Sequence, residues 1–282
     1  MILSEDQIKT KEVLKWKGLH LLHFRGSSCS QKVRTLLREK GIKVTFHHVD
    51  LARNKHVTPW YLGINPRGVV PVLVHDGVVH VESNDILEYL DDLPSKAPSF
   101  FPQTEEEREI VRDSLDLENS LHEDLRNLTM GFMTPRGVVT KSEETLRRYE
   151  REGVEDPSRM KEVAWWRNFA EHGVPDEVAK ASIEAYRAAF ETLDAQLANT
   201  PYLMGDRLSV LDLAWFISSN RLELAGYPLK WHPNLLTWHK RLKRRRAFAQ
   251  ETDMGFAITK VVVPLYRLFR YLQGTTMAQM AR

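Results

Sequence analysis

The chain has 282 residues, 42 % of them apolar and 28 % charged, with a formal net charge of +2. This is a globular composition, long enough for one large domain or two modest ones, and its charge offers no bulk field to draw nucleic acid. A single cysteine excludes an internal disulfide, so the fold does not depend on an oxidising compartment. The opening stretch, MILSEDQIKTKEVLKWKG, is charged and lacks the apolar core of a secretory signal. There is no uninterrupted apolar run of about 18 residues to span a bilayer. Together these features predict a soluble, cytoplasmic protein.

Residues 19–24 (LHLLHF) read as a short strand. Residues 28–40 read as a helix: Leu36 and Leu37 follow Val33 at helical spacing, and Gly41 is placed to end it. Residues 44–49 (VTFHHV) alternate as a strand does. A short helix over 58–64 stops at Asn65-Pro66. Two strands, 70–74 and 78–81, flank His75-Asp76-Gly77, which is a hairpin signal. Pro71 within the first of these strands removes a ladder donor, so it belongs at an edge or where the backbone turns toward a ligand. Residues 83–92 form another helix with Ser83 as its cap. The order is β-α-β-α-β-β-α. Residues 94–102 carry Pro94, Pro98 and Pro102 and form a linker. Beyond them the pattern is helical, most clearly over 105–128, 176–198, 209–225 and 233–246. A long, charged stretch lies between the first two of these. The layout is an extension over 1–17, a small α/β domain over 18–93, the linker 94–102, an all-helical domain over 103–255 and a C-terminal extension over 256–282.

Four motifs set in that order resemble the cytosolic glutathione transferases, over roughly residues 17–255. SSCSQKVR is similar to the active-site serine-cysteine stretch of the zeta class, the maleylacetoacetate isomerases. NPRGVVPVL resembles the segment that leads into a cis-proline, here Val70-Pro71. VESNDILEYL resembles the acidic/Ser element that holds the γ-glutamyl end of glutathione, and LSVLDLAW the capping-box helix of the C-terminal domain. The S-x-C-S order, the long insertion and RLKRRRAF look most like the tetrachlorohydroquinone reductive dehalogenase branch. The insertion also resembles that of bacterial β-aryl etherases. The resemblance implies a thioredoxin-like α/β domain followed by an all-α domain, glutathione as co-substrate, and a homodimer.

Glutathione reacts as its thiolate, yet a thiol with a pKa near 8.5 is only about a few per cent ionised at pH 7. Hydrogen bonds to the sulfur and a helix N-terminus behind it favour the charged form. The hydroxyl of Ser27 or Ser28 can donate such a bond. The resemblance puts this role on Ser27 and leaves Ser28 as the helix cap; capping by both, without catalysis, is the alternative. Cys29 falls at the start of the same helix, where the dipole lowers a thiol pKa. It either forms a mixed disulfide with glutathione, as the dehalogenase resemblance implies, or is a small half-buried thiol. With no second cysteine, another glutathione would have to resolve such a disulfide.

The other ligand groups follow from the shape of glutathione, which has two carboxylates and one ammonium. Glu82 can pair the ammonium, and Ser83 can meet the γ-glutamyl carboxylate or serve only as a cap. A cis Pro71 exposes the Val70 backbone to the cysteinyl amide. Lys55 and His56 stand where related transferases carry basic residues for the glycyl carboxylate; otherwise they are surface charges. Many relatives have Gln or Lys at the place of Val69, whose side chain cannot make that polar contact, and Arg67 is the available substitute.

Ser209-Val210-Leu211-Asp212 fits a capping box, a folding role rather than a catalytic one. KRLKRRR ends a helix, where cations complement the dipole. The 11 histidines lack metal spacing such as H-E-x-x-H, so no metal is expected. Met130, Phe132, Met133, Trp165, Trp166 and Trp215 are candidate apolar walls for a hydrophobic second substrate, with core packing as the competing role. In the tail, Leu265, Leu268, Phe269 and Leu272 recur at helical spacing, with Arg267 and Arg270 on the other side. A lid over the cleft or a cover on the helical domain is expected there ahead of a membrane-surface anchor. The sequence therefore points to a glutathione transferase acting on a hydrophobic, aromatic electrophile. Reductive cleavage of a carbon–halogen or ether bond and cis–trans isomerisation are the alternatives. A non-catalytic binding protein is a further alternative, which the intact serine-cysteine motif argues against.

Overall fold

The computed structural model describes residues 1–152 and 157–281. In chain order the elements are β1 (Leu19–His23), α1 (Ser28–Lys40), β2 (Thr45–His48), α2 (Pro59–Leu62), β3 (Val72–His75), β4 (Val78–His80) and α3 (Ser83–Asp91). There follow α4 (Glu105–Ser120), α5 (His122–Phe132), α6 (Arg136–Val139), α7 (Glu143–Glu152), α8 (Pro157–His172) and α9 (Asp176–Gln196). The last are α10 (Val210–Ala225), α11 (Pro233–Lys243), α12 (Arg246–Thr252), α13 (Val263–Leu272) and α14 (Met277–Met280). Two compact units result: Met1–Ser99 with Lys141–Asn168, and Phe100–Thr140 with Phe169–Arg282.

The first unit is built on a four-stranded sheet of order β2-β1-β3-β4. β1 runs parallel to β2 and antiparallel to β3, and β4 returns beside β3. The α1 crossover between parallel neighbours demands this arrangement, and the two-residue Asp76-Gly77 turn makes the hairpin. Asp76 and Gly77 both take positive φ, 49° and 88°, as such a turn needs. Side chains alternate across the sheet, so Leu21 and Leu73 point away from Leu22, Val72 and Val74, yet all five are fully buried. Both faces are therefore covered. Residues 1–17 cover part of one: Leu3, Ile8 and Val13 join Leu22, Val72 and Val74 in one apolar cluster, and the Leu3 amide donates to the Val79 carbonyl at 3.0 Å. Deep in the unit Lys40 and Asp91 pair at 2.8 Å, tying the end of α1 to the end of α3.

Several boundaries depart from the sequence expectation. β3 begins at Val72, so Pro71 precedes the ladder, consistent with its missing N–H. Glu82 at φ 66° takes the N-cap position of α3, which puts Ser83 inside the first turn rather than at the cap. The helix expected over 105–128 breaks at Leu121: Ser120 Oγ donates back to the Leu117 carbonyl at 2.8 Å, and α5 starts afresh. The charged stretch after α5 is largely helical. Leu146 and Tyr149 on α7 and Val163 and Trp166 on α8 form buried stripes, and Arg167 bonds both Glu143 (2.9 Å) and Glu150 (3.0 Å).

The second unit is all-helical and centres on α10, most of whose residues are buried. The expected capping box is present: the Asp212 carboxylate accepts from the Ser209 amide and hydroxyl, both at 2.8 Å. Its other oxygen accepts from the Leu203 amide at 3.0 Å and Trp238 Nε1 at 2.7 Å. The tail forms the amphipathic helix α13, but with Arg270 turned inward and its leucines outward. Arg270 donates to the Gly131 carbonyl at 3.1 Å and lies 3.9 Å over the Phe132 ring, while Leu265 and Leu272 are 62 % and 76 % exposed. An aromatic face and an open carbonyl favour the guanidinium over another leucine.

His239 provides a test of this core by pH. It is fully buried, stacks on Phe216 at 5.0 Å, and neither ring nitrogen has a hydrogen-bond partner. Burial, with Lys243 and Lys240 adding to it and Glu223 opposing, holds its pKa down at about 4 against an ordinary 6.5. The unfolded chain therefore takes a proton as pH falls below about 6.5, whereas the folded one does not until about 4, and stability is lost across that window. Urea unfolding of wild type and His239→Phe is expected to diverge by about 2 kcal/mol between pH 6.5 and 4.5, wild type losing more. A constant difference would show that His239 carries no such linkage.

Candidate active site

The residues singled out for glutathione chemistry all lie in the first unit. The loop after β1 leads into α1 and is pinned from below by Arg34. This buried arginine bonds His23 Nδ1 at 2.9 Å and the carbonyls of Phe24 and Arg25 at 3.1 and 3.0 Å. Burial, then the neighbouring Arg34 charge, lowers His23 to about 4, so it is neutral beside the guanidinium. The cap of α1 is Ser27, not Ser28: Ser27 Oγ accepts from the Ser30 amide at 3.2 Å, and Ser28 is the first helical residue. A hydroxyl can accept and donate at once, so capping leaves the Ser27 O–H available as a donor. Cys29 is the second residue of the helix and is half-buried. It sits in the first turn, where the positive end of the dipole acts.

A second group comes from the loop before β3. The Val69 carbonyl accepts from Tyr61 Oη at 2.7 Å and from Asn65 Nδ2 at 3.0 Å. The Val70–Pro71 peptide is cis. Arg67 spans to Glu82 and engages one carboxylate oxygen, Oε1. Lys32, itself buried, donates to Asn84 Oδ1 at 2.8 Å and thereby joins α1 to the start of α3 beside Ser83.

Of the two bases expected for the glycyl carboxylate, only Lys55 is exposed. His56 is turned inward, its Nε2 2.6 Å from Tyr149 Oη, and burial, then the Lys141 and Arg159 charges, drive its pKa down to about 3. The apolar walls are dispersed as well. Met130 and Phe132 line a cavity of about 230 Å³ in the second unit, bounded also by Tyr266 and Arg270 of the tail. Met133 is buried nearby in sequence. Trp215 is a core residue with no exposed surface, its Nε1 donating to Ser114 Oγ at 3.1 Å. Trp165 and Trp166 belong to the first unit, ring centroids 5.0 Å apart, and the Lys141 ammonium lies 4.8 Å over the Trp166 ring.

Arg34, Lys32, Tyr61 and Asn65 escaped the sequence reading. The one available signal was that Lys32 and Arg34 fall among the apolar positions of α1, where a charge must find a buried partner.

Comparison with known proteins gives the class. Residues 26–93 match the family model of the glutathione S-transferase N-terminal domain, and residues 176–241 that of the C-terminal domain. The chain thus carries both an N-terminal and a C-terminal glutathione S-transferase domain, the two domains of a family whose co-substrate is glutathione. It is 28 % identical over 240 residues to the tetrachloro-p-hydroquinone reductive dehalogenase of Sphingobium chlorophenolicum, covering 81 % of this chain and 93 % of that protein. It is also 35 % identical over 112 residues to Glutathione S-transferase 1 of Dianthus caryophyllus, 40 % of this chain but only 50 % of that protein. Among solved structures, the β-etherase LigF from Sphingobium sp. strain SYK-6 superposes with a TM-score of 0.71 at 26 % identity, covering 83 % of this chain and 98 % of that one.

Proposed function

We propose that this chain is an enzyme that activates the glutathione thiol for attack on a hydrophobic, aromatic electrophile. The observation that carries the reading is Ser27: it caps α1 through a lone pair and keeps its O–H for a sulfur held over the first turn. One donor and one helix dipole, both aimed at an anion, stabilise the thiolate over the thiol. Glu82 and Ser83 stand at the start of α3 for the γ-glutamyl end, and exposed Lys55 is available to the glycyl carboxylate. The Val70 backbone, outside the ladder that starts at Val72, is available to the cysteinyl amide. The direct test is retention on immobilised glutathione, followed by turnover of a panel of chloroaromatics, β-aryl ethers and maleyl compounds. Failure of both retention and turnover overturns the reading.

Cys29 in the first turn of α1 supports a second reading, reductive cleavage, the reaction named for the Sphingobium chlorophenolicum relative. Here the Cys29 thiolate attacks the sulfur of a substrate–glutathione conjugate. The carbon–sulfur bond breaks, the carbon takes a proton, and a Cys29–glutathione disulfide remains. A second glutathione thiolate displaces Cys29 and leaves as glutathione disulfide. Cys29→Ser is expected to separate the readings. A conjugating enzyme keeps most of its rate; a reductive one stalls and accumulates the conjugate, visible by mass spectrometry. Unchanged products and rates would make Cys29 structural.

A further inference from the structure

Arg159 is one of the largest fully buried side chains among the described residues, and it lies on α8, far in sequence from the glutathione-binding half. Its Nη2 donates to the backbone carbonyl of Arg67. Its guanidinium lies 5.8 Å from the centre of the Tyr149 ring. Gly68 makes room for it: φ is +59°, and a Cβ there would collide with the guanidinium and come within 2.9 Å of the His56 carbonyl. The slot is therefore shaped at the residue next to the one it grips.

The same inserted segment fastens the neighbouring turn. Tyr149 Oη lies 2.9 Å from Asn54 Oδ1 and 2.6 Å from His56 Nε2, and Arg148 donates to the Val57 carbonyl at 3.3 Å. Lys141 approaches Asn54 Oδ1 at 3.4 Å. Two loops of the thioredoxin-like half, 54–57 and 67–68, are thus held by α7 and α8. The first carries Lys55. The second carries Arg67, whose side chain engages Glu82.

We propose that Arg159 is a positioning residue for glutathione: by gripping the Arg67 carbonyl through the Gly68 slot it fixes Arg67, and through Arg67 it aims the Glu82 carboxylate at the γ-glutamyl ammonium. A surface Arg–Glu pair is mobile and worth little by itself. Anchoring its backbone to a buried guanidinium removes that freedom before the ligand arrives, which is where preorganisation adds affinity. The inserted segment in this way serves co-substrate recognition. The proposal rests on the glutathione reading above.

Calorimetric titration with glutathione and with its des-amino analogue, glutaryl-cysteinyl-glycine, separates the two. Wild type is expected to bind glutathione about tenfold more tightly than the analogue, one charged contact's worth. Arg159→Ala and Gly68→Ala should each erase most of that preference while binding the analogue as wild type does. Arg159→Lys, which can still donate to the Arg67 carbonyl, should restore much of it. The Gly68 variant keeps Arg159 itself and serves should Arg159→Ala fail to fold. If wild type binds neither ligand, the glutathione reading fails and the proposal with it. If wild type shows the preference and the folded variants retain it, Arg159 only stabilises the fold and the positioning role is overturned.

Discussion

Ser27→Ala is expected to lower turnover with glutathione by about 10²-fold, the loss that follows removal of one preorganised donor to a catalytic anion. The folding cost should be modest. The lost cap bond to the Ser30 amide (3.2 Å) is worth about 1 kcal/mol. Ser28→Ala, which alters a first-turn residue with no cap role, should stay near wild type. The affinity for glutathione should change less than the rate, because in the proposed function the Ser27 hydroxyl meets sulfur charge rather than the peptide backbone. Steady-state rates for the two variants, with glutathione binding measured in parallel, decide the matter. Loss on Ser28→Ala with Ser27→Ala unaffected would move the activating hydroxyl to Ser28.

Asp212→Ala is expected to be the most damaging substitution for stability, at about 3–5 kcal/mol. Its carboxylate is fully buried, and burial pushes its pKa up against the four hydrogen bonds that pull it down. Removing it strands Trp238 Nε1 and the amides of Leu203 and Ser209 in the interior. Asp212→Asn should cost less but still appreciably, since its amide N–H would face donors. Chemical unfolding midpoints measure the cost, and the folded fraction of either variant should bind glutathione normally. An unfolding free energy within about 1 kcal/mol of wild type would show that the box is dispensable.

Much of this was legible because it is local. The strand and helix over 19–40, the Asp76-Gly77 hairpin and the Ser209–Asp212 box rest on side chains within a few residues of one another. Short-range periodicity and turn chemistry therefore suffice to place them. One-residue shifts, such as the cap at Ser27 instead of Ser28 and Glu82 instead of Ser83, were not legible. Adjacent residues of one run can cap equally well until the incoming loop fixes which is non-helical. The loop into α1 is fixed by Arg34, 9 and 10 residues from the carbonyls it grips.

By itself the sequence determined the elements and the motifs: an α/β sheet with its crossover, a helical remainder, the serine-cysteine turn and the acidic-serine helix start. Each depends on periodicity, a proline or glycine, or a cap, and those are properties of contiguous residues. Only the tertiary structure decided where the inserted segment belongs. Its charged, weakly patterned sequence gave no sign that Tyr149 would reach His56 and Arg159 the Arg67 carbonyl, partners 93 and 92 residues away. Those pairings arise because a buried guanidinium and phenol must find partners, and the Arg67 carbonyl and the Asn54 and His56 side chains of the thioredoxin-like half offer them. The tail shows the same division. Its amphipathic period was evident, but which face would turn inward was settled by the Gly131 carbonyl and the Phe132 ring meeting Arg270.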